Sequence, residues 1–412
     1  MTTARCIRFG VVGIHGFARS HIGSLQRLEQ TGAPVKLAAA VAHARRQDEA
    51  YAVSLETAGV KLVPDMDSLL AMKQELDVVT VPVGIPLHVP MAEKALQAGY
   101  PVYLEKPVTG AIQDFDHLAE VERRTSGPLF IGFQDIFQPS LWELKRRMLN
   151  GDLGPLRRAV VMAAWPRSRS YYERTAWAGR LAINGTWVLD SPLNNACAHY
   201  INLVLFLAGA SLSVAACPLE VTAELYRANP IKSADTTAVR VRTSAGVEIV
   251  FLASHACETA RGPLIRLECQ AGQVLGNRGS ADAAWQLQHA SGTSDRIEIM
   301  KAWMDPFQHV AQFLRGEKDM PVCTLAMARP HTLVVNGAHL SSPIHDIPAG
   351  LCETVTRTEN DQTQTYRVVK GMNAVLSACF DKGCLPSESA AAWARPGQPV
   401  DVSPLTVFSR PK

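Results

Sequence analysis

The first 133 residues alternate short apolar segments with amphipathic segments, and this alternation constrains the fold more than any other feature of the sequence. The apolar segments have the length and composition of buried strands. They comprise residues 6–12, 35–42, 76–81, 102–104 and 129–133. Strands separated by helical segments are typical of a parallel sheet with helices on both faces. We therefore predict an α/β fold that begins with a doubly wound parallel sheet over residues 1–133.

A glycine-containing turn joins the first predicted strand to a helix over residues 19–30. Strand, glycine turn and helix are the context of a dinucleotide-binding fingerprint. In that fingerprint the first glycine permits the tight turn, and N–H groups at the helix N-terminus face a pyrophosphate. Gly13 and Gly16 fit this pattern, whereas His15 stands at the usual second glycine and Ala18 at the third.

The second predicted strand ends without the carboxylate that commonly binds the ribose 2′-hydroxyl of NAD. Ala42 stands at its end, and Arg45 and Arg46 follow. These arginines either contact the 2′-phosphate of NADP or lie in solvent where the next helix begins, and the sequence leaves both readings open. The expected cofactor is accordingly NADP or NAD.

Glu105-Lys106-Pro107 directly follows the predicted strand at residues 102–104. Ligands of open α/β sheets bind outside the carboxyl ends of the strands. A lysine at such an end, next to a glutamate and before a proline with a fixed φ angle, is well placed for proton transfer. The alternative is an ordinary Glu-Lys pair on the surface of a loop. Upstream, residues 82–88 predict a stiff loop over the sheet edge, and His88 opens a helix.

A loop rich in aromatic and arginine side chains follows a strand predicted at residues 158–165. Tyr172, Trp177 and Arg180 lie in this loop. Aromatic rings beside cations suit a polyol, whose C–H faces rest on the rings while its hydroxyls meet polar groups. The alternative is that some of these rings belong to the core.

Residues 190–209 predict a long helix with Ser191 as its N-cap. Asn195, His199 and Asn202 then fall at positions i, i+4 and i+7 on one face. The rest of the helix is largely apolar, so this polar stripe needs partners or a water-filled cleft. We predict that the stripe lines a substrate site.

From residue 219 to residue 275 apolar and polar residues alternate, which predicts an open, mostly antiparallel sheet. Helices cover one face of such a sheet, and a second subunit is the expected cover of the other. We therefore predict a substrate-binding and oligomerisation domain over residues 134–350 and a homo-oligomer, a dimer or tetramer. Residues 351–412 are predicted to form an extension that packs on the preceding domains.

Charge and cysteine content exclude several classes of partner. The 41 basic and 38 acidic residues give a net charge of +3, too balanced and too scattered for nucleic acid. No run approaches 18 apolar residues, so no membrane partner is predicted. Nine cysteines without a C-x-x-C pair indicate free thiols and a cytoplasmic location, and no metal site is predicted.

Three features together resemble the Gfo/Idh/MocA family (glucose–fructose oxidoreductase, inositol dehydrogenase and relatives). They are the glycine turn, Glu105-Lys106-Pro107, and a helix that carries His199 after an Asn-Gly-Thr-Trp segment. The resemblance covers roughly residues 5–320, and it implies a Rossmann domain for NAD(H) or NADP(H) followed by an α/β domain that brings a histidine to the substrate. Cofactor contacts are assigned to Gly13, His15, Gly16, Phe17, Ala18, Arg45, Pro82, His88, Glu105 and Lys106. Substrate contacts are assigned to Lys106, Tyr172, Trp177, Arg180, Asn195 and His199.

The resemblance implies hydride transfer between nicotinamide and a sugar, cyclitol or sugar-derived polyol, with Lys106, His199 and Asn195 as catalytic residues. Asn195 and Asn202 replace aspartates that family members usually carry beside the histidine. Because Asn195 brings no charge to His199, Lys106 is favoured as the proton carrier. Two alternatives stay open: a redox-neutral elimination or glycoside cleavage with tightly held cofactor, and a nucleotide-binding ligand sensor without chemistry.

Overall fold

The computed structural model describes residues 4–43, 47–277, 283–299, 305–317, 322–359, 362–389 and 391–409, which divide into two compact units. Unit 1 comprises Met1–Thr109, Gln113–Phe137 and Trp303–Leu325. Unit 2 comprises Gly110–Ile112, Gln138–Ala302 and Ala326–Lys412. The sequence placed residues 303–325 in the second domain, whereas they group with unit 1. Phe307 explains this grouping, because its ring packs edge-on against Phe9 and Tyr103.

Unit 1 is built on a parallel sheet, as predicted. Its strands are β1 (Ile7–Val11), β2 (Val35–Val41), β3 (Lys61–Val63), β4 (Val78–Val81), β5 (Val102–Leu104) and β6 (Leu129–Ile131). Within the described residues they pair in parallel in the order β3-β2-β1-β4-β5-β6. The accompanying helices are α1 (Ala18–Gln30), α2 (Glu49–Thr57), α3 (Met66–Leu70), α4 (Ile85–Gln97), α5 (Ile112–Arg124) and α9 (Pro306–Leu314). The five predicted strands agree with the observed ones to within two residues, whereas the three-residue β3 was not predicted.

The loop predicted at residues 82–88 is shorter than expected, because α4 already begins at Ile85. Pro86 lies in the first turn of α4, where the missing N–H costs no helical hydrogen bond. His88 therefore lies inside the helix rather than at its start, and its side chain is buried.

Unit 2 contains a ten-stranded mixed sheet within the described residues. Its strands are β7 (Leu156–Ala164), β10 (Pro218–Arg227), β11 (Thr236–Thr243), β12 (Glu248–Ser254), β13 (Arg261–Cys269), β14 (Gly272–Asn277), β15 (Ala284–His289), β16 (Ser294–Glu298), β17 (Ile344–Asp346) and β20 (Val400–Asp401). The order is β16-β15-β14-β13-β7-β12-β11-β10-β17, and β20 also pairs with β10. The β7–β12 and β10–β17 pairs are parallel and the others antiparallel, which confirms the predicted large, mostly antiparallel sheet.

The remaining elements of unit 2 surround this sheet. They are α6 (Pro139–Leu149), α7 (Arg169–Glu173), α8 (Ala198–Leu207), α10 (Leu325–Ser341) and α11 (Met372–Lys382), with the two-stranded pairs β8 (Ala182–Ile183) and β9 (Thr186–Trp187), and β18 (Cys352–Glu359) and β19 (Gln362–Val369). β18 and β19 form an antiparallel hairpin near the end of the chain.

The helix predicted over residues 190–209 is wrong in its first half, because α8 begins only at Ala198. The first turn does form: Ser191 Oγ accepts a hydrogen bond from the Asn194 N–H at 3.3 Å, and the Ser191 carbonyl accepts one from Asn195. The next bond, from Cys197 N to the Pro192 carbonyl, spans one residue more than an α-helix allows, so the ladder breaks.

Side-chain hydrogen bonds compete with the helix in this segment. Asn194 Nδ2 donates to the Val188 carbonyl at 2.8 Å, and Asn195 Nδ2 donates to Asp190 Oδ1 at 2.7 Å. Asparagine side chains that bond nearby groups disfavour helix. His199 and Asn202 still share a helical face, but Asn195 does not belong to it.

One face of the central strands β7 and β12 is covered by α11. Side chains of β7 and β12 on this face form one buried cluster with Met372, Leu376 and Cys379 of α11. The alternating residues of β7, Ala159 and Val161 among them, are also fully buried, and α8 packs on β7 and β12 without joining that cluster. Both faces of the central strands β7 and β12 are thus covered by the chain itself, and assembly into a dimer or tetramer stays a prediction.

Candidate functional site

The turn between β1 and α1 fits a dinucleotide pyrophosphate. Gly13 and Gly16 have φ angles of +106° and +57°, which glycine adopts without the strain that a side chain would bring. A Cβ at Gly16 would meet no described atom within 4 Å, so the turn faces open space. Phe17 precedes α1 and makes no side-chain cap on the helix N-terminus. The turn can therefore present backbone N–H groups to phosphate oxygens.

The other residues predicted to contact the cofactor differ in exposure. His15 is half-buried, Phe17 is 54% exposed, and Ala18 and Pro82 are buried. Ala42 lies at the end of β2 and is buried. Arg45 and Arg46 lie outside the described residues, so their contact with a 2′-phosphate stays a prediction.

Glu105 is held between α1 and the backbone of Lys106. Its Oε1 lies 2.9 Å from Nε2 of His21, and its Oε2 accepts a hydrogen bond from the Lys106 N–H at 3.1 Å. A Cβ on Gly132 would lie 2.9 Å from Glu105 Oε1, so only glycine leaves room for this carboxylate. Sequence reasoning missed His21 and Gly132. The signal for His21 was its place on the buried face of α1, where an ionisable side chain needs a partner.

His88 contacts the backbone of Pro107, the residue that follows Lys106. Its Nδ1 lies 2.7 Å from the Pro107 carbonyl oxygen and its Nε2 lies 3.0 Å from that of Val83. Burial lowers the pKa of His88, and a neutral imidazole donates to only one of two carbonyls. The His88 ring thus connects the backbone at Val83 to the backbone at Pro107, whose peptide bond with Lys106 is cis. Lys106 itself is half-buried directly after β5.

In unit 2, Asp190 connects the aromatic loop to Asn195. Its Oδ2 accepts a hydrogen bond from the Gly179 N–H at 2.6 Å, and its Oδ1 accepts one from Asn195 at 2.7 Å. Asp190 is 3% exposed. A carboxylate therefore lies against Asn195 although the family aspartate is absent, and this contact fixes the orientation of the Asn195 amide. Sequence reasoning did not single out Asp190, because the contact depends on a loop conformation rather than on helical spacing.

Asn202 lies one helical turn after His199 and is fully buried. Neither atom of its amide has a hydrogen-bond partner among the described residues. Leaving a buried amide without a partner costs about 1–3 kcal/mol, so this amide has free capacity to donate and to accept a hydrogen bond. His199 is half-buried on the same face of α8.

A cavity of about 1230 Å³ lies entirely within unit 2. Tyr172 and Arg180, both predicted to contact substrate, line it. Trp177, Asn195 and His199 are not among its lining residues, and the Trp177 ring instead lies 5.3 Å from the Arg174 guanidinium. The structure therefore brings together only two of the predicted substrate residues at this cavity.

Among the described residues, no group of three or more potential ligands is arranged to bind a metal ion. No described helix has the length and apolarity needed to cross a membrane.

The parallel sheet and its glycine turn define unit 1 as a Rossmann domain of the dinucleotide-binding class. Residues 7–133 match the model of an oxidoreductase family with an NAD-binding Rossmann fold. That model is the one of the Gfo/Idh/MocA family, so over residues 7–133 it agrees with the resemblance seen in the sequence.

Two curated relatives match parts of the chain. The dTDP-3,4-didehydro-2,6-dideoxy-alpha-D-glucose 3-reductase of Streptomyces violaceoruber is 33% identical over 121 residues, which are 29% of this chain and 33% of the reductase. The inositol 2-dehydrogenase of Corynebacterium glutamicum is 26% identical over 154 residues, 37% of this chain and 44% of the dehydrogenase. The matched segments thus span less than half the length of these relatives.

The likeness in fold extends further than the likeness in sequence. The WlbA dehydrogenase of Bordetella pertussis, solved in complex with NADH and UDP-GlcNAcA, is 20% identical with a TM-score of 0.66. The match covers 82% of this chain and 96% of the WlbA chain. At this identity the comparison shows a shared fold.

Proposed function

We propose that the chain is an NAD(P)-dependent oxidoreductase that transfers hydride between a nicotinamide cofactor and a carbinol carbon of a sugar, cyclitol or sugar-derived polyol. One observation supports this proposal above the others: Lys106 lies past the carboxyl end of β5, between two backbone hydrogen bonds, in a domain that matches an NAD-binding oxidoreductase family. The names of the dTDP-sugar reductase and the inositol dehydrogenase support a sugar or cyclitol as the substrate.

Lys106 takes the proton from the substrate hydroxyl during oxidation and returns it during reduction. When bound, the nicotinamide ring accepts or donates the hydride. Glu105 and His88 contact the backbone on both sides of the Lys106 side chain, which fixes the point from which its amino group extends. A positioned acid–base group contributes about 10²–10⁴ in rate.

His199 and Asn195 are proposed to hydrogen-bond the substrate rather than to carry its proton. Asp190 turns the Asn195 amino group toward itself, which directs the Asn195 carbonyl oxygen away from Asp190 as a hydrogen-bond acceptor. Asn202 adds a buried amide on the helical face of His199.

The test is a screen of sugars, cyclitols and sugar acids with NAD and NADP, followed by kinetics of Lys106→Ala on the best substrate. We expect a loss of about 10²–10⁴ in kcat. Lys94→Ala is the matched control, because Lys94 is an exposed lysine of α4 that pairs with Asp67. Wild-type turnover in Lys106→Ala would exclude Lys106 as the proton carrier.

The same screen separates the rival functions. A cofactor that co-purifies with the chain and is re-reduced within each turnover would indicate a redox-neutral reaction. Saturable ligand binding without any turnover would indicate a sensor. NADP(H) is proposed to be accepted at least as well as NAD(H), since no carboxylate stands at Ala42. A cytoplasmic location and a homo-oligomer are also proposed.

A further inference from the structure

The cavity of unit 2 carries more positive than negative charge. Among its lining residues are the cations Arg169, Arg180, Arg227, Lys232 and Arg367 and the carboxylates Glu173 and Asp346. Both carboxylates are already paired, Glu173 with Arg169 and Asp346 with Arg227, each at 2.7 Å.

Three cations of the cavity remain without a carboxylate partner. Within the described residues, no carboxylate lies within ion-pair distance of Arg180, Lys232 or Arg367. Arg367 donates a hydrogen bond to a neutral group, the hydroxyl of Thr354, at 3.3 Å. Three like charges around one cavity repel each other, and a bound anion relieves this repulsion.

Lys232 lies in the turn between β10 and β11, and a buried carboxylate holds the conformation of this turn. Asp235 is fully buried, and its Oδ2 accepts hydrogen bonds from the Ala228 N–H, the Asn229 N–H and Asn229 Nδ2 at 2.7–2.9 Å. This holds the turn between β10 and β11 in one shape. The turn is therefore organised before a ligand arrives, which lowers the entropy cost of binding.

Gly179 connects the turn between β10 and β11 to the predicted substrate residues through backbone hydrogen bonds. Its carbonyl oxygen accepts hydrogen bonds from the N–H groups of Lys232 and Ser233, and its own N–H donates to Asp190. A Cβ at Gly179 would lie 2.8 Å from Ile231, and its φ angle is +66°, so both space and conformation require glycine. Asp190 in turn orients Asn195, so the cationic cavity and Asn195 belong to one hydrogen-bonded assembly.

We infer that this cavity binds the phosphate or diphosphate group of a phosphorylated sugar substrate through Arg180, Lys232 and Arg367. The inference deepens the proposed function by naming the substrate class, and it rests on that function only for the sugar. The volume of about 1230 Å³ exceeds the roughly 300–1,000 Å³ typical of pockets for drug-sized ligands, so a neutral monosaccharide fills little of it. Arg367 lies on β19, so the C-terminal extension supplies part of this specificity.

The experiment is calorimetric titration of the full chain with inorganic pyrophosphate and with uridine diphosphate, in saturating NAD so that the glycine turn of unit 1 is blocked. We expect saturable binding that weakens with salt, and at least a tenfold rise in Kd for Arg367→Ala and for Lys232→Ala. Arg242→Ala is the control, because Arg242 is an exposed arginine of β11 outside the cavity, and it should bind as the wild type does. Tighter binding of uridine diphosphate than of pyrophosphate would extend the class to sugar nucleotides.

Two results would overturn the inference. One is the absence of pyrophosphate and uridine diphosphate binding to the wild type, and the other is unchanged binding in both cavity variants. Circular dichroism confirms that each variant is folded, and Lys232 is exposed on a loop, so its truncation leaves the core intact. Turnover of a neutral polyol that depends on Lys106, without anion binding, would leave the proposed function standing and refute this inference alone.

Discussion

His21 and Glu105 form a buried pair, with Nε2 of the histidine 2.9 Å from Oε1 of the glutamate. The two residues are 4% and 8% exposed, and they join α1, which follows the glycine turn, to the end of β5. The second carboxylate oxygen accepts from the Lys106 N–H. One carboxylate thus links the dinucleotide-binding turn to the residue proposed to move the proton.

Glu105→Gln should lower kcat/KM about tenfold or more while leaving the fold intact. The substitution keeps the shape of the side chain but removes the charge that receives hydrogen bonds from His21 and Lys106, and bonds to charged groups contribute about 1.5–3 kcal/mol. Steady-state kinetics on the best substrate measure this. The control is Glu93→Gln, whose carboxylate contacts exposed His117. Equal kcat/KM in the two variants would show that Glu105 does not position Lys106.

Gly132→Ala should reduce both stability and activity, because the added Cβ would lie 2.9 Å from Glu105 Oε1 and displace the carboxylate. Gly350→Ala is the matched control, since a Cβ there would meet no described atom within 4 Å. Thermal unfolding and turnover are compared for both variants. A Gly132→Ala protein with unchanged Tm and kcat would mean that Glu105 has another stable position.

Lys145 makes the stability of unit 2 dependent on pH. Its side chain is fully buried, Nζ donates to the carbonyls of Phe206 and Val214, and burial lowers the pKa to about 7. Between pH 7 and the ordinary value of 10.5 the unfolded chain binds more protons than the folded chain, so stability rises with pH across that window. The slope from this one group is up to about 1.4 kcal/mol per pH unit.

Lys145→Met should remove this slope. The free energy of unfolding of the variant, relative to the wild type, should fall as the pH rises through the window, as measured by urea denaturation. Lys73→Met is the control at an exposed lysine. A difference between Lys145→Met and wild type that is constant with pH would contradict the assignment.

Leu376→Asp should expose the sheet face that α11 covers. Leu376 is 1% exposed and contacts the cluster of β7 and β12 side chains, so a carboxylate there would detach the helix from an apolar surface. We expect self-association by light scattering and a large loss of stability. Lys382→Ala, at the exposed end of the same helix, should behave as the wild type. A monodisperse Leu376→Asp protein of unchanged stability would mean that α11 is dispensable.

Local signals predicted the parts of the fold that depend on neighbouring residues. β5 was found because Val102–Leu104 is apolar and is bounded by Gly99 and Pro101. The glycine turn was found because Gly13 and Gly16 stand between a predicted strand and a predicted helix. Asn195 was placed on a helix because the spacing rule ignores the competing bond to Asp190.

Contacts between distant residues were not predictable in the same way. His21 and Glu105 are 84 positions apart in the chain, and the residues next to either one do not predict their contact. The cover of the sheet was assigned to another subunit because α11 begins at Met372, about 120 residues after β12 ends at Ser254, and its own sequence does not indicate which strands it contacts. The excess charge of the cavity was also hidden, because Arg180 and Arg367 come together only in the folded unit.

The position of α11 in the chain also determines when, during synthesis, one face of β7 and β12 becomes covered. Met372 leaves the ribosome about 120 residues after Leu252, which at about 5–20 residues per second is a delay of roughly 6–24 s. Throughout that interval one face of β7 and β12 has no cover from its own chain. Nascent unit 2 should therefore depend on chaperone protection until α11 emerges, and synonymous codons that slow translation after β12 should lower the soluble yield.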